Sequence, residues 1–151
     1  MKKEMNNKGF SLVELIIVIA IMAILIVVLA PQYLKYVERS RNSTDLQNAT
    51  EMVTAIQTYA ADPEVANAFV KDDEFTITVT ATTTSFGSNS GDTKAQAALT
   101  GAAIDYNSIT CKSKNKWTQY VISGKVQADG SIKFTYTGTE FSDAMNGKTT
   151  S

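Results

Sequence analysis

The sequence predicts an α+β chain in which one long N-terminal helix, apolar first and amphipathic afterwards, packs its second half on a small antiparallel β-sheet. Three observations point there. Residues 10–30 are apolar except for Ser11 and Glu14. Apolar residues return at helix-face spacing at Ala49, Met52, Val53, Ile56, Tyr59 and Ala60. The second half of the chain then alternates apolar and polar residues with period two between turn signals. The organisation that follows is a short polar N-terminus at 1–9, an apolar helix of membrane-spanning length at 10–30, its amphipathic continuation at 31–61, a connecting region at 62–105 and a sheet-forming segment at 106–151.

At a helical rise of about 1.5 Å per residue the apolar run is roughly 31 Å long, enough to cross the hydrocarbon of a bilayer. Lys2, Lys3 and Lys8 precede it against one Glu4, so its basic flank stays in the cytoplasm and the rest of the chain lies outside. An ordinary signal peptide or anchor has the same general look. Val28-Leu29-Ala30 offers the small residue that a secretory cleavage site needs, but Pro31 follows it and blocks cutting. No cysteine stands near the run, which excludes a lipoprotein anchor. Glu14 is the exception to explain, because a carboxylate at mid-membrane depth costs about 2.5–3.5 kcal/mol on insertion scales. Ser11-Leu12-Val13-Glu14 also fits a capping box, in which the two side chains satisfy the first free N–H groups of the helix.

Lys8-Gly9-Phe10-Ser11-Leu12-Val13-Glu14-Leu15, followed by the long apolar run and Pro31, resembles the class III signal and N-terminal segment of type IV pilins. The resemblance implies the pilin fold and cleavage between Gly9 and Phe10 by a prepilin peptidase. It also implies N-methylation of the new Phe10 amine and polymerisation of the mature chain through its apolar helix. A protonated amine on Phe10 gives Glu14 a counterpart on a neighbouring subunit. At about 4 Å the pair attracts by roughly 4 kcal/mol at an effective dielectric near 20, against roughly 1 kcal/mol in water. An acid that is a liability in lipid becomes a contact that sets register in a polymer.

Beyond the run the helix continues through Pro31, where a kink is expected, and Asp62-Pro63 ends it. Many pilins carry a glycine about eight residues before this proline; here the position is Ala23, a stronger helix former. Tyr33, Tyr36 and alternating charges make 31–41 an interfacial stretch, and 38–47 is polar. Residues 74–82 alternate apolar residues with threonine and read as a half-buried strand. Residues 85–91 read as a loop, after which Asp92 caps a short helix at 93–103. Strands at 108–111 and 117–126 flank a turn at 112–116, and Ala128-Asp129-Gly130 is the hairpin turn into a strand at 131–138. Trp117 and Phe134 read as core or sheet-face residues.

The 151 residues are 44 % hydrophobic and 19 % charged with a net charge of −1. The leader holds three lysines and one glutamate, so removing its +2 leaves −3, a balance that argues against general nucleic-acid affinity. Lys112, Lys114 and Lys116 beside Trp117 and Tyr120 could form a patch for polyanions, or simply a solvated loop. Cys111 stands alone and cannot form the C-terminal disulfide of many Gram-negative pilins, which makes the chain resemble the disulfide-free pilins of Gram-positive bacteria. A buried residue in a strand is the ordinary reading of such a cysteine. Asp72-Asp73-Glu74 is an acidic turn without the ligand spacing of a known calcium loop. The chain has no histidine and no paired acids in a motif, so neither catalytic residues, nor a cofactor, nor a metal is expected.

The reading is a structural pilus subunit, not an enzyme. Its expected partners are further copies of itself, the prepilin peptidase, an assembly ATPase, a polytopic platform protein and, before assembly, the membrane. A minor pilin, a type II secretion pseudopilin or a competence pilin is the nearest alternative. A membrane-anchored surface binding domain that never polymerises is the alternative of another class.

Overall fold

The structure, a computed structural model, describes residues 9–65 and 68–147. Residues 1–8, on which most of the expected leader falls, lie outside the described residues. The elements are α1 (Leu12–Ala61), β1 (Glu74–Val79), β2 (Thr84–Phe86), α2 (Asp92–Gly101), a 3-10 turn (Tyr106–Ser108), β3 (Tyr120–Val126), β4 (Ile132–Thr137) and α3 (Thr139–Met145). The chain divides into two compact units, Met1–Val37 and Glu38–Ser151.

In the first unit α1 is helical from Leu12 onward and contains Pro31 without interruption of the helix. Its apolar side chains pack on nothing: from Leu12 to Leu29 the large ones remain 50–74 % exposed. Among the described residues of this unit none covers them.

The second unit has a core of its own. Four antiparallel strands lie in the order β2-β1-β3-β4. Phe75, Ile77 and Val79 of β1 are buried while the threonines between them are half-exposed, as period-two alternation requires of a sheet with one covered face. Tyr120 and Ile122 of β3 line the same face, and Ala49, Met52, Ala55 and Ile56 of α1 join them with Ala95, Ala98 and Leu99 of α2 in one cluster. Val53, Tyr59 and Ala60 of the expected helix face are half-buried. At the end of α1 the Asp62 carboxylate accepts the Glu64 N–H at 2.9 Å, a turn that closes the helix where Pro63 forbids its continuation. The α+β architecture is the one the sequence predicts.

Gly124 of β3 stands opposite Phe75 of β1, and a Cβ there would lie 2.2 Å from Phe75 Cζ. The phenyl ring thus occupies the space a side chain would need, and only glycine lets the two strands pair in this register.

Four local expectations are corrected. Residues 108–111 form no strand. Instead the Thr84 hydroxyl donates to the Ile109 carbonyl at 2.7 Å and the Cys111 N–H to the Thr80 carbonyl at 2.8 Å, so Cys111 sits in an irregular segment. The expected loop at 85–91 begins as strand, because β2 pairs with β1 from Thr84 to Phe86. Asp92 does not cap α2, which starts after Gly91. Its carboxylate is engaged elsewhere, accepting the N–H of Thr76 at 2.7 Å and that of Asn89. Finally, 106–151 is not sheet throughout, since α3 follows β4. Phe141, fully buried, draws it in by stacking on Tyr120 at 4.5 Å and meeting Trp117 and Tyr136 edge-on. Gly147, with φ of 72° just past the helix end, is the sequence signal of that stop.

Gly124→Ala should lower the stability of the headpiece by about 1–3 kcal/mol, the usual cost of forcing volume into a filled site. A denaturant titration of the full chain in detergent, followed by the fluorescence of Trp117, would show an unchanged midpoint if the ring could simply move aside.

Candidate assembly site and loop clamp

In the first unit Gly9 and Phe10 precede the helix, exposed to solvent, Phe10 at 91 %. Ser11 and Glu14 form the capping box: the Ser11 N–H donates to the Glu14 carboxylate at 2.9 Å and the Glu14 N–H to the Ser11 hydroxyl at 3.3 Å. Glu14 therefore has a structural partner in the single chain, near the start of a helix whose exposed face is otherwise greasy. The helix is long and apolar enough to cross a membrane. Pro31 lies inside it, unbroken.

The second unit contains a set of buried carboxylate contacts. Asp45, on α1, is fully buried. It accepts the N–H of Lys112 at 2.7 Å and that of Ser113 at 2.8 Å, the indole N–H of Trp117 at 2.9 Å and the Cys111 thiol at 3.4 Å. Two turns earlier on the same face Glu38 accepts the Ser113 hydroxyl at 2.9 Å and the N–H groups of Lys114 and Asn115 at 2.8 Å each. Between them the two acids satisfy a run of backbone donors in the segment ahead of β3, a segment with no strand partner to do so. These bonds hold the segment expected as a turn, 112–116, to the helix.

Burial alone would raise the Glu38 pKa, but the Asn115 and Lys114 N–H groups, the Ser113 hydroxyl and Arg41 favour its charged form more strongly and bring it down to about 2. The Cys111 thiol moves the other way, pushed up to about 12 by burial and then by the Asp45 charge. It is a small buried side chain, not a reactive thiolate. The Tyr120 hydroxyl is raised by burial and by Asp45 as well, and it and Asn42 Oδ1 are buried without a hydrogen-bond partner among the described residues.

The acidic sequence candidates are engaged in ion pairs. Asp73 is buried against the Lys94 ammonium at 2.6 Å, tying the approach to β1 to α2. Glu74 pairs across the sheet with Lys125 at 2.7 Å. Among the described residues no three acids, histidines or cysteines gather as a metal set. Lys112, Lys114 and Lys116 are exposed, whereas Trp117 and Tyr120 are buried.

Residues 5–30 match the family model described as the prokaryotic N-terminal methylation motif. The chain's N-terminal stretch is similar to that of type IV major pilins. It is 43 % identical over 60 residues to the type IV major fimbrial protein FimA of Dichelobacter nodosus, a stretch covering 40 % of this chain and 38 % of FimA. It is 32 % identical over 67 residues to the type IV major pilin protein PilA of Myxococcus xanthus, covering 44 % of this chain and 30 % of PilA. The chain thus spans well under half the length of the pilins it matches. No solved structure matches it.

Glu38 and Asp45 are the residues of this pilin-like chain that sequence reasoning passed over, as part of a polar span. The signal was their spacing. Glu38, Asn42, Asp45, Ala49, Met52 and Ile56 alternate steps of four and three, one continuous stripe of a helix, and all six are buried.

Stability should show two pH limits. Glu38 contributes fully above its ordinary 4.5 and loses that contribution as pH falls toward 2. Cys111, raised above its ordinary 9.0, contributes below that value and loses it as pH climbs toward 12. Trp117, the one tryptophan, reports both limits by its emission, and Glu38→Gln should flatten the acid limb. A curve level from pH 2 to pH 5 in the native protein would contradict the clamp. Tyr120→Phe, which removes an unpartnered buried hydroxyl, should leave stability unchanged or raise it by about 1 kcal/mol in a thermal melt.

Proposed function

We propose that this protein is a structural subunit of a type IV pilus, cleaved after Gly9 and polymerised into a surface filament through its apolar helix. The observation that carries the reading is the pairing of an N-terminal methylation motif with an apolar helix face that the folded chain leaves uncovered. Fully burying a side chain such as Leu or Ile is worth about 1.5–3 kcal/mol, and residues 12–29 present one after another. Lipid covers them in the precursor; the helices of neighbouring subunits cover them in the fibre.

In this reading prepilin peptidase cuts between Gly9 and Phe10 on the cytoplasmic side, and Phe10 is then N-methylated. Glu14 gives up part of its local cap to meet the Phe10 amine of an adjacent subunit. Pro31 marks where the helix bends as it leaves the packed core. The precursor spans the cytoplasmic membrane once with its N-terminus inside, and an assembly ATPase and a platform protein extract it into the filament. The role is structural rather than catalytic. The major pilins among its relatives favour a major over a minor subunit, while the likeness to Gram-positive pilins rests on the unpaired Cys111.

Mass measurement of the mature chain should find Phe10 at the N-terminus with one added methyl group; a chain that keeps 1–9 would overturn the reading. Glu14→Gln is the sharper test, because glutamine also serves in a capping box and only the charge is lost. Electron microscopy of sheared cells should then show membrane insertion intact and filaments lost. Normal filaments from that variant would remove Glu14 from assembly.

A further inference from the structure

The clamp has an outer side. Along the pinned loop Cys111, Ser113 and Trp117 point inward and are buried, while Lys112, Lys114, Asn115 and Lys116 are exposed. Residues 38–45 and 110–117 hold five cations against two carboxylates. Both carboxylates lie inside, Asp45 wholly on backbone, indole and thiol donors and Glu38 mainly on N–H groups, with Arg41 at 3.5 Å from its second oxygen. Their charge therefore faces inward and that of the lysines outward. The surface between the helix and the loop is a cleft of about 690 Å³ lined by Ser40, Arg41, Thr44, Thr110, Lys112 and Lys114. Cations and hydroxyls on a rigid backbone are the groups that recognise a phosphate.

We propose that this cleft binds the phosphate of an anionic phospholipid headgroup, in the leaflet facing the headpiece, while the chain is still anchored in the membrane. The proposal rests on the membrane reading above. Two observations favour lipid over nucleic acid. Ser40 follows Ala30, the last apolar residue of the run, by ten positions, and a chain of that length reaches at most about 36 Å. The cleft is thus tethered close to headgroups at high effective concentration. Trp117 and Tyr120, the aromatic residues beside the lysines, are buried in the core, so the surface lacks the stacking platform on which single-stranded bases are held. What remains is recognition of phosphate without a base.

The test uses the full chain in nanodiscs of phosphatidylcholine, with and without added phosphatidylglycerol. Amide resonances of Lys112, Ser113 and Lys114 should shift only in the anionic discs and return as salt is raised. Lys112→Gln and Lys114→Gln should each weaken the response about fivefold, the factor expected for one cation near an anionic surface, with Trp117 emission unchanged. Identical spectra in both discs would overturn the proposal. So would the same shifts from inorganic phosphate added to neutral discs, or from an oligonucleotide alone, which would assign the cleft to free phosphate or to nucleic acid. Failure of the chain to co-elute with discs is a separate result that overturns the membrane reading itself.

Discussion

Two carboxylates on one face of a helix, Glu38 and Asp45, decide how the headpiece is built. They hold seven hydrogen bonds from a single loop, counting those of Asp45 to Lys112, Ser113, Trp117 and Cys111 and those of Glu38 to Ser113, Lys114 and Asn115. A buried charge is tolerable only when its donors are present, so loop and helix depend on each other. Trp117, once fixed by its indole N–H, becomes a wall for Phe141, and Phe141 stacks on Tyr120. The polar contact thereby sets the position of the aromatic core, and with it the start of β3 and the docking of α3.

The two halves of α1 solve opposite problems. Residues 38–61 meet a complementary surface within their own chain and bury Met52 and Ile56 completely. Residues 12–29 meet none and stay exposed. One sequence periodicity serves a fold, with polar residues on the free side; the other is apolar all round, the pattern of a helix that needs covering from every direction.

Much of this was legible in the residues. The apolar run, the capping box of Ser11 and Glu14, the stop at Asp62-Pro63, the alternation in β1 and the turn at Asp129-Gly130 are local signals, each fixed by chemistry within a few positions. What was not legible depended on distant partners. Asp92 has the composition of a cap, yet its oxygens are claimed by Thr76. Residues 108–111 have strand composition, yet β1 already pairs with β2 and β3, and the segment finds Thr80 and Thr84 instead. The stripe through Glu38, Asn42 and Asp45 was hidden because burial is expected of apolar residues, and a buried acid is recognisable only once its donors are known.

Cys111 is buried and unpaired, and the loop around it is fastened by carboxylates rather than by sulfur. Folding of this domain consequently asks nothing of an oxidising catalyst. A domain secured in this way folds equally well under reductants that would loosen a cross-linked relative, and its weakness is acid instead.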